Sequence, residues 1–197
     1  MKSYLFLAVH CCLTLVYSAP LKVAHHLKPE ITVGMSLAKK ILDNIPAVHE
    51  TYLKRTGLTL ELSSEEQNLE YLSGISIPEP PVLKTISEDF TLEMSLSRIV
   101  EGLELHHALL QRISESLTST EKLNLLLADI SELSAQVKKM QQLAQISSKV
   151  SQKAFPDLSP SLDSNYQVQV ITHLSLQQLR SFTQDVFRSL RQIAVSN

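Results

Sequence analysis

The spacing of apolar side chains constrains this chain more than any other feature. Leu92, Leu96, Ile99, Leu103, His106, Leu110, Ile113 and Leu117 follow one another at alternating steps of four and three, with one histidine among the aliphatics. Leu123, Leu126, Ile130, Leu133, Val137, Met140 and Ala144 repeat the rhythm. Such a step lays a narrow apolar stripe along an α-helix, whereas a strand would need apolar residues at every second position. Stripes of this width are buried by neighbouring helices that cross at a shallow angle near 20°. Composition agrees: with four glycines, no tryptophan and 5% aromatic residues, the chain has little material for a β-rich fold, and aliphatic side chains must fill the core.

Four long segments carry helical periodicity. The first is expected over 30–55, with Met35, Ala38, Ile41, Leu42, Ile45, Val48 and Tyr52 on one face. Pro29 precedes it and Gly57 follows, the usual asymmetry of helix ends. Pro46 falls inside and should kink the helix, because its nitrogen cannot donate a backbone hydrogen bond. The second segment is expected over 87–117, opened by a capping box of Thr85 and Glu88, and the third is opened by Thr118 and Glu121. The fourth, 166–194, starts ambiguously. Tyr166, Val168 and Val170 alternate with glutamines as a strand would. No other run offers such a strand a partner, and Leu174, Leu179, Phe182, Val186, Leu190 and Ile193 continue a helical pattern. It reads as a helix with an undetermined first turn.

Loop lengths then select a topology. Helices of about 25 residues span roughly 38 Å. The connection between the second and third, Thr118 to Thr120, reaches roughly 10 Å, so those two helices must be antiparallel neighbours. The other two connections, Gly57 to Thr85 and Gln152 to Asn165, are long enough to cross a helix length, the shorter reaching roughly 46 Å when extended. One tight turn and two long crossovers describe an all-α, up-up-down-down long-chain four-helix bundle. Within the first crossover, Ser63 and Glu66 form a capping box ahead of Leu69 and Leu72, with Gly74 as a stop, which predicts a short extra helix. Pro78, Pro80 and Pro81 stiffen the return path, as Pro156 and Pro160 do in the second crossover.

The N-terminus reads as a secretory signal. Lys2 is a basic n-region, Leu5 to Val16 an apolar h-region, and Val16 and Ser18 occupy the −3 and −1 positions before Ala19. The run is too short to span a bilayer, which takes about 20 apolar residues. The expected division is therefore a signal peptide, 1–18, and a secreted four-helix domain, 19–197, with no membrane insertion. Both cysteines, Cys11 and Cys12, fall in the signal, so the secreted domain has no disulfide.

Catalytic patterns are missing. The glycines are isolated, so no phosphate-cradling loop exists, and G-x-S-x-G is absent. The pairs His25-His26 and His106-His107 point about 100° apart on a helix and lack H-E-x-x-H spacing, which argues against a metal site. His106 lies on the apolar stripe and is expected in the core or at its boundary. Acidic pairs such as Glu65-Glu66 and Glu88-Asp89 lie at expected helix N-termini, where the helix dipole favours them without catalysis. A net charge of −2 gives no basic footprint for nucleic acid. Neither an enzyme nor a cofactor is expected. Function then falls to surfaces, and Lys39, Lys40 and Asp43 on the first helix, with Asp129, Glu132, Lys138 and Lys139 on the third, lie off the apolar stripes. A lipid-carrying amphipathic bundle is the alternative, but it would want wide, lysine-edged apolar faces and repeats, which this sequence lacks.

The stretch LSRIVEGLELHHALLQRIS, Leu96 to Ser114, resembles the second helix of the granulocyte colony-stimulating factor family, among the interleukin-6-type long-chain cytokines. LRSFTQDVFRSLRQIA, Leu179 to Ala194, resembles its fourth helix, and Glu65-Glu66 with the run from Gly74 to Pro81 is similar to its first crossover. The flavour is that of a non-mammalian member. The resemblance implies a ligand, monomeric when free, that cross-links class I cytokine receptor ectodomains and promotes growth and differentiation of granulocytic cells; another interleukin-6-type cytokine, separated from it only by receptor identity, is the alternative within this class. It also implies one receptor-binding surface on the first and third helices, carried by Lys40, Asp129 and Glu132, and a second at Glu66. Ser36 stands where the family has an acidic residue, and Ser95 where mammalian members have a disulfide cysteine.

Overall fold

The computed structural model describes residues 21–53, 60, 77–87, 89–146 and 164–195, with side chains from Leu27 onward. The expected signal peptide, the Ser63–Gly74 helix, Gly57 and the prolines Pro156 and Pro160 lie outside the described residues. Among these residues there are four helices: α1 Leu21–Leu53, α2 Leu92–Ser114, α3 Glu121–Leu143 and α4 Asn165–Val195. Among the described residues there is no strand, and Ser87 and Phe90 make an isolated bridge.

Helix α1 starts nine residues earlier than Glu30 and contains Pro29 as well as Pro46. The buried stripe explains the extension. Leu27 and Ile31 continue the four-three spacing of Ala38, Ile41, Ile45 and Val48 backwards, and all are buried. Both prolines are exposed, so the carbonyls that lose a helical donor lie on the side that water can reach.

Helix α2 begins at Leu92, not Ser87. Thr91 is the N-cap, its hydroxyl accepting from the Met94 amide at 3.3 Å. Upstream, Ser87 and Phe90 exchange backbone hydrogen bonds of 3.0 and 3.2 Å, and the turn drives Phe90 into the core at 3% exposure. Arg98 reaches back from α2, donating to the Val82 carbonyl at 2.8 Å and lying over the Phe90 ring at 5.2 Å. Burying Phe90 under Arg98 of α2 wins over a longer helix, and the cap falls at Thr91 rather than Thr85. The helix also stops at Ser114, leaving Leu117 half-buried in the turn.

Helix α3 is likewise capped at Thr120 rather than Thr118, and its hydroxyl accepts from the Asn124 side chain at 3.1 Å instead of a backbone amide. At its far end Gln145 takes φ 56°. The Ile146 amide bonds to the Gln141 carbonyl at 2.9 Å and the Gln145 amide to the Gln142 carbonyl at 3.0 Å. That pairing is a Schellman turn without its usual glycine.

Helix α4 opens on a reciprocal cap. The Ser164 hydroxyl accepts from the Gln167 amide at 3.1 Å while Gln167 Oε1 accepts from the Ser164 amide at 3.1 Å. From Val170 to Leu176 every residue is buried. The strand-like run just before it is helical too, and its alternation reflects Val168 and Val170 turning inward while Tyr166 stays exposed in the first turn.

Helix α1 packs against α3 and α4, and α2 packs against the same two helices. Among the described residues neither α1 with α2 nor α3 with α4 is in contact. Side-chain contacts set the registers. Glu30 meets Gln136 and Lys139, Lys40 meets Asp129, and Tyr52 donates to the Ser119 carbonyl, so numbers rise along α1 as they fall along α3. Between α2 and α3, Ser97 meets Gln141 and Glu104 meets Lys138. His49 meets His173 near one end of α1 and α4, and Gly34 faces Leu190 near the other. Close approach decides one further residue. The Phe182 ring lies where a Cβ on Gly102 would stand, 2.1 Å from its Cζ, so glycine lets α4 seat its aromatic directly on the α2 backbone.

Candidate functional site

Three of the four residues assigned to receptor surfaces come together. Lys40 projects from α1, one turn past Ser36, and its Nζ lies 2.6 Å from Asp129 Oδ1 and 3.7 Å from Glu132 Oε2 on α3. Asn44, one turn further along α1, donates to Asp129 Oδ2 at 2.8 Å. Both oxygens of Asp129 are thus satisfied from the opposite helix. The hydrogen bond and charge of Asp129, with a smaller contribution from Glu132, hold the Lys40 ammonium above its ordinary pKa.

The three side chains differ in what they present. Asp129 was expected off the apolar stripe, yet its side chain is only 8% exposed. It flanks Leu126, Ile130 and Leu133 on the side where α1 crosses, and packing covers it. Lys40 and Glu132 remain open, with side chains 53% and 59% exposed. One cation faces two carboxylates here, one of them covered, so the exposed edge shows Lys40 and Glu132 side by side. Leu125 lies seven residues before Glu132, on the same face of α3 and roughly 10 Å away along the axis. It is 62% exposed, a large apolar side chain on the same face as the charged edge.

The seam continues toward the start of α1. Gln136 donates to the Glu30 carbonyl and carboxylate at 3.0 and 2.6 Å, and Lys139 pairs with Glu30 at 2.9 Å. Hydrogen bonds from Lys139 and Gln136 hold the Glu30 carboxyl below its usual range. Lys39 and Asp43 are exposed, as their positions off the stripe imply. Asn44 and Gln136 were not singled out by sequence, since an uncharged amide on a helix flank carries no signal until its partner helix is known.

Ser36 is exposed. Ser95 is fully buried in α2, its hydroxyl without a hydrogen-bond partner among the described residues. Glu66 lies outside the described residues. His106 is fully buried, as its place on the stripe predicts. Among the described residues no group of three or more histidine, cysteine, aspartate or glutamate side chains gathers to hold a metal ion, and no helix is long and apolar enough to cross a membrane. The chain matches no model of a known protein family and no curated protein sequence.

Proposed function

We propose that this chain is a secreted helical cytokine that binds class I cytokine receptor ectodomains of the granulocyte colony-stimulating factor type. It acts by bringing receptor chains together, and so promotes growth and differentiation of granulocytic cells. The observation that carries the reading is the convergence of Lys40, Asp129 and Glu132. Two helices far apart in sequence supply a charged patch, with Lys40 and Glu132 exposed, at the positions implied by the family resemblance. Leu125 beside it offers an apolar anchor of the kind found at the centre of binding hot spots, with Glu132 at the charged rim. The buried Asp129 orients Lys40 rather than meeting the receptor itself.

The finer topology belongs to the same proposal. Opposed registers of α1 with α3, α2 with α3 and α1 with α4 favour an up-up-down-down bundle whose α1–α2 and α3–α4 connections cross its length. A bundle so connected leaves the α1–α3 face and the first crossover as separate surfaces, two epitopes for two receptor chains.

The test is dose-dependent signalling by the protein secreted from cells expressing the full chain. It is applied to cells carrying the granulocyte colony-stimulating factor receptor of the same species and to matched cells without it. A receptor-dependent response at nanomolar dose is expected, and Glu66→Ala weakens it with helicity intact. Secreted, helical protein that elicits no response refutes the receptor assignment.

A further inference from the structure

Three imidazoles are enclosed in the bundle, and all of them bear on α4. His49 of α1 and His173 of α4 face each other with Nε2 and Nδ1 3.0 Å apart, ring centroids 5.2 Å apart and planes at 61°. His173 is fully buried and His49 is 8% exposed. Against another face of α4, His106 of α2 tilts onto the Phe182 ring at 5.3 Å. Neither nitrogen of His106 has a hydrogen-bond partner among the described residues.

Each arrangement suits the neutral ring. A hydrogen bond between two imidazoles needs one bare nitrogen as acceptor. Protonating both rings turns that acceptor into a donor and sets two like charges side by side. For His106 the proton would create a buried cation with nothing to accept from it. Burial alone depresses its pKa to about 3. Burial, then the neighbouring His173, depresses that of His49, and burial does the same for the half-buried His107.

Several charged groups on the surrounding helices are engaged with other partners. On α3, Lys138 pairs with Glu104 of α2, and Lys139 with Glu30 of α1. Lys40 of α1 is held by Asp129 and Glu132. On α4, Arg180 donates to the Leu60 carbonyl and Asp185 accepts from Arg188. Tyr52, one turn beyond His49, donates to the Ser119 carbonyl.

We propose that His49, His106 and His173 form an acid-sensitive latch that holds α4 against α1 and α2 when neutral and releases it in mild acid. The latch depends on helix packing and stands whatever partner the chain binds. In the unfolded chain a histidine takes up its proton near pH 6.5, whereas His106 in the fold does so only near about 3. Between those values the unfolded chain binds more protons, so the stability these rings supply is complete above about pH 6.5 and falls as pH drops. Glu30, whose pKa is also depressed, loses its contribution only below its ordinary 4.5. The interval from pH 6 to 5 therefore isolates the imidazoles.

The measurement is urea unfolding of the full chain at pH 7.5, 6 and 5, with amide exchange read helix by helix. Below about pH 6 the unfolding equilibrium constant should rise at least tenfold per pH unit, one proton for each ring that stays neutral. Protection in α4 should fall before that in α3. His106→Phe should remove about one proton from that slope. In parallel, the imidazole resonances of the folded wild-type chain are followed by NMR, which does not require a variant to fold. His106 should show no titration down to pH 5. A slope below one proton between pH 6 and 5, or buried rings that titrate near 6.5 in the folded chain, overturns the latch.

Discussion

Asp129 and Glu132 sit three residues apart on one helix and share one lysine, yet their environments assign them different tasks. Asp129 is covered and bonded by both Lys40 and Asn44. Truncating it leaves the Asn44 amide without its acceptor at a part-buried site, so Asp129→Ala should lower stability by about 1–2 kcal/mol in urea unfolding. Glu132 is mostly exposed and meets Lys40 only at 3.7 Å. Glu132→Ala should change stability by less than about 0.5 kcal/mol. If it is a receptor contact, it should lower signalling potency about thirtyfold, the equivalent of about 2 kcal/mol. Equal losses of stability in the two variants would show that Glu132 is structural too. The sequence separated Lys40, Asp129 and Glu132 from the core stripes, and the structure brings them together. What it could not reveal is the burial of Asp129, because a flank position is covered or open according to which helix crosses it.

Helices as units were legible from period alone, and their ends were not. All four segments form helices, but the caps of α2 and α3 are Thr91 and Thr120 rather than Thr85 and Thr118, while Ser164 with Gln167 does cap α4. The capping-box pattern is short enough to recur by chance. Choice among candidates falls to tertiary burial, as with Phe90 ahead of α2. The C-terminus of α3 gives this scale its prediction. Gln145 holds φ 56° to complete the Schellman turn, a conformation that costs a residue with a Cβ about 1 kcal/mol. Gln145 is exposed, so replacing it sacrifices little packing. Gln145→Gly should therefore raise stability by up to about 1 kcal/mol, seen as a higher urea midpoint with unchanged slope. A lower midpoint would mean that the side chain does more than its exposure implies.

For the molecule as a whole, connection length and side-chain register speak to the same question. The short link from α2 to α3 required adjacency, and those helices do pack together. Direction along the bundle follows from contacts. Glu30 lies by Lys139, and Ser97 by Gln141, which sets the starts of α1 and α2 beside the end of α3. Tyr52 lies by Ser119, which sets the end of α1 beside the start of α3. Spin labels at the exposed positions Lys28, Glu93 and Lys122 can test the up-up-down-down arrangement without reference to any partner. Lys40 meets Asp129, so Lys122 lies level with about residue 47 of α1, and a label there and one at Lys28 should be separated by about 29 Å along the axis. Lys28 and Glu93 should instead share one end, on diagonal helices whose nearest-neighbour axes are about 8–10 Å apart, and their labels should lie under about 30 Å from each other. An up-down-up-down bundle would reverse the two results, bringing Lys28 near Lys122 and sending Glu93 to the far end. That outcome would also remove the need for long crossovers, and with it the separation of the two surfaces on which the proposed receptor cross-linking depends.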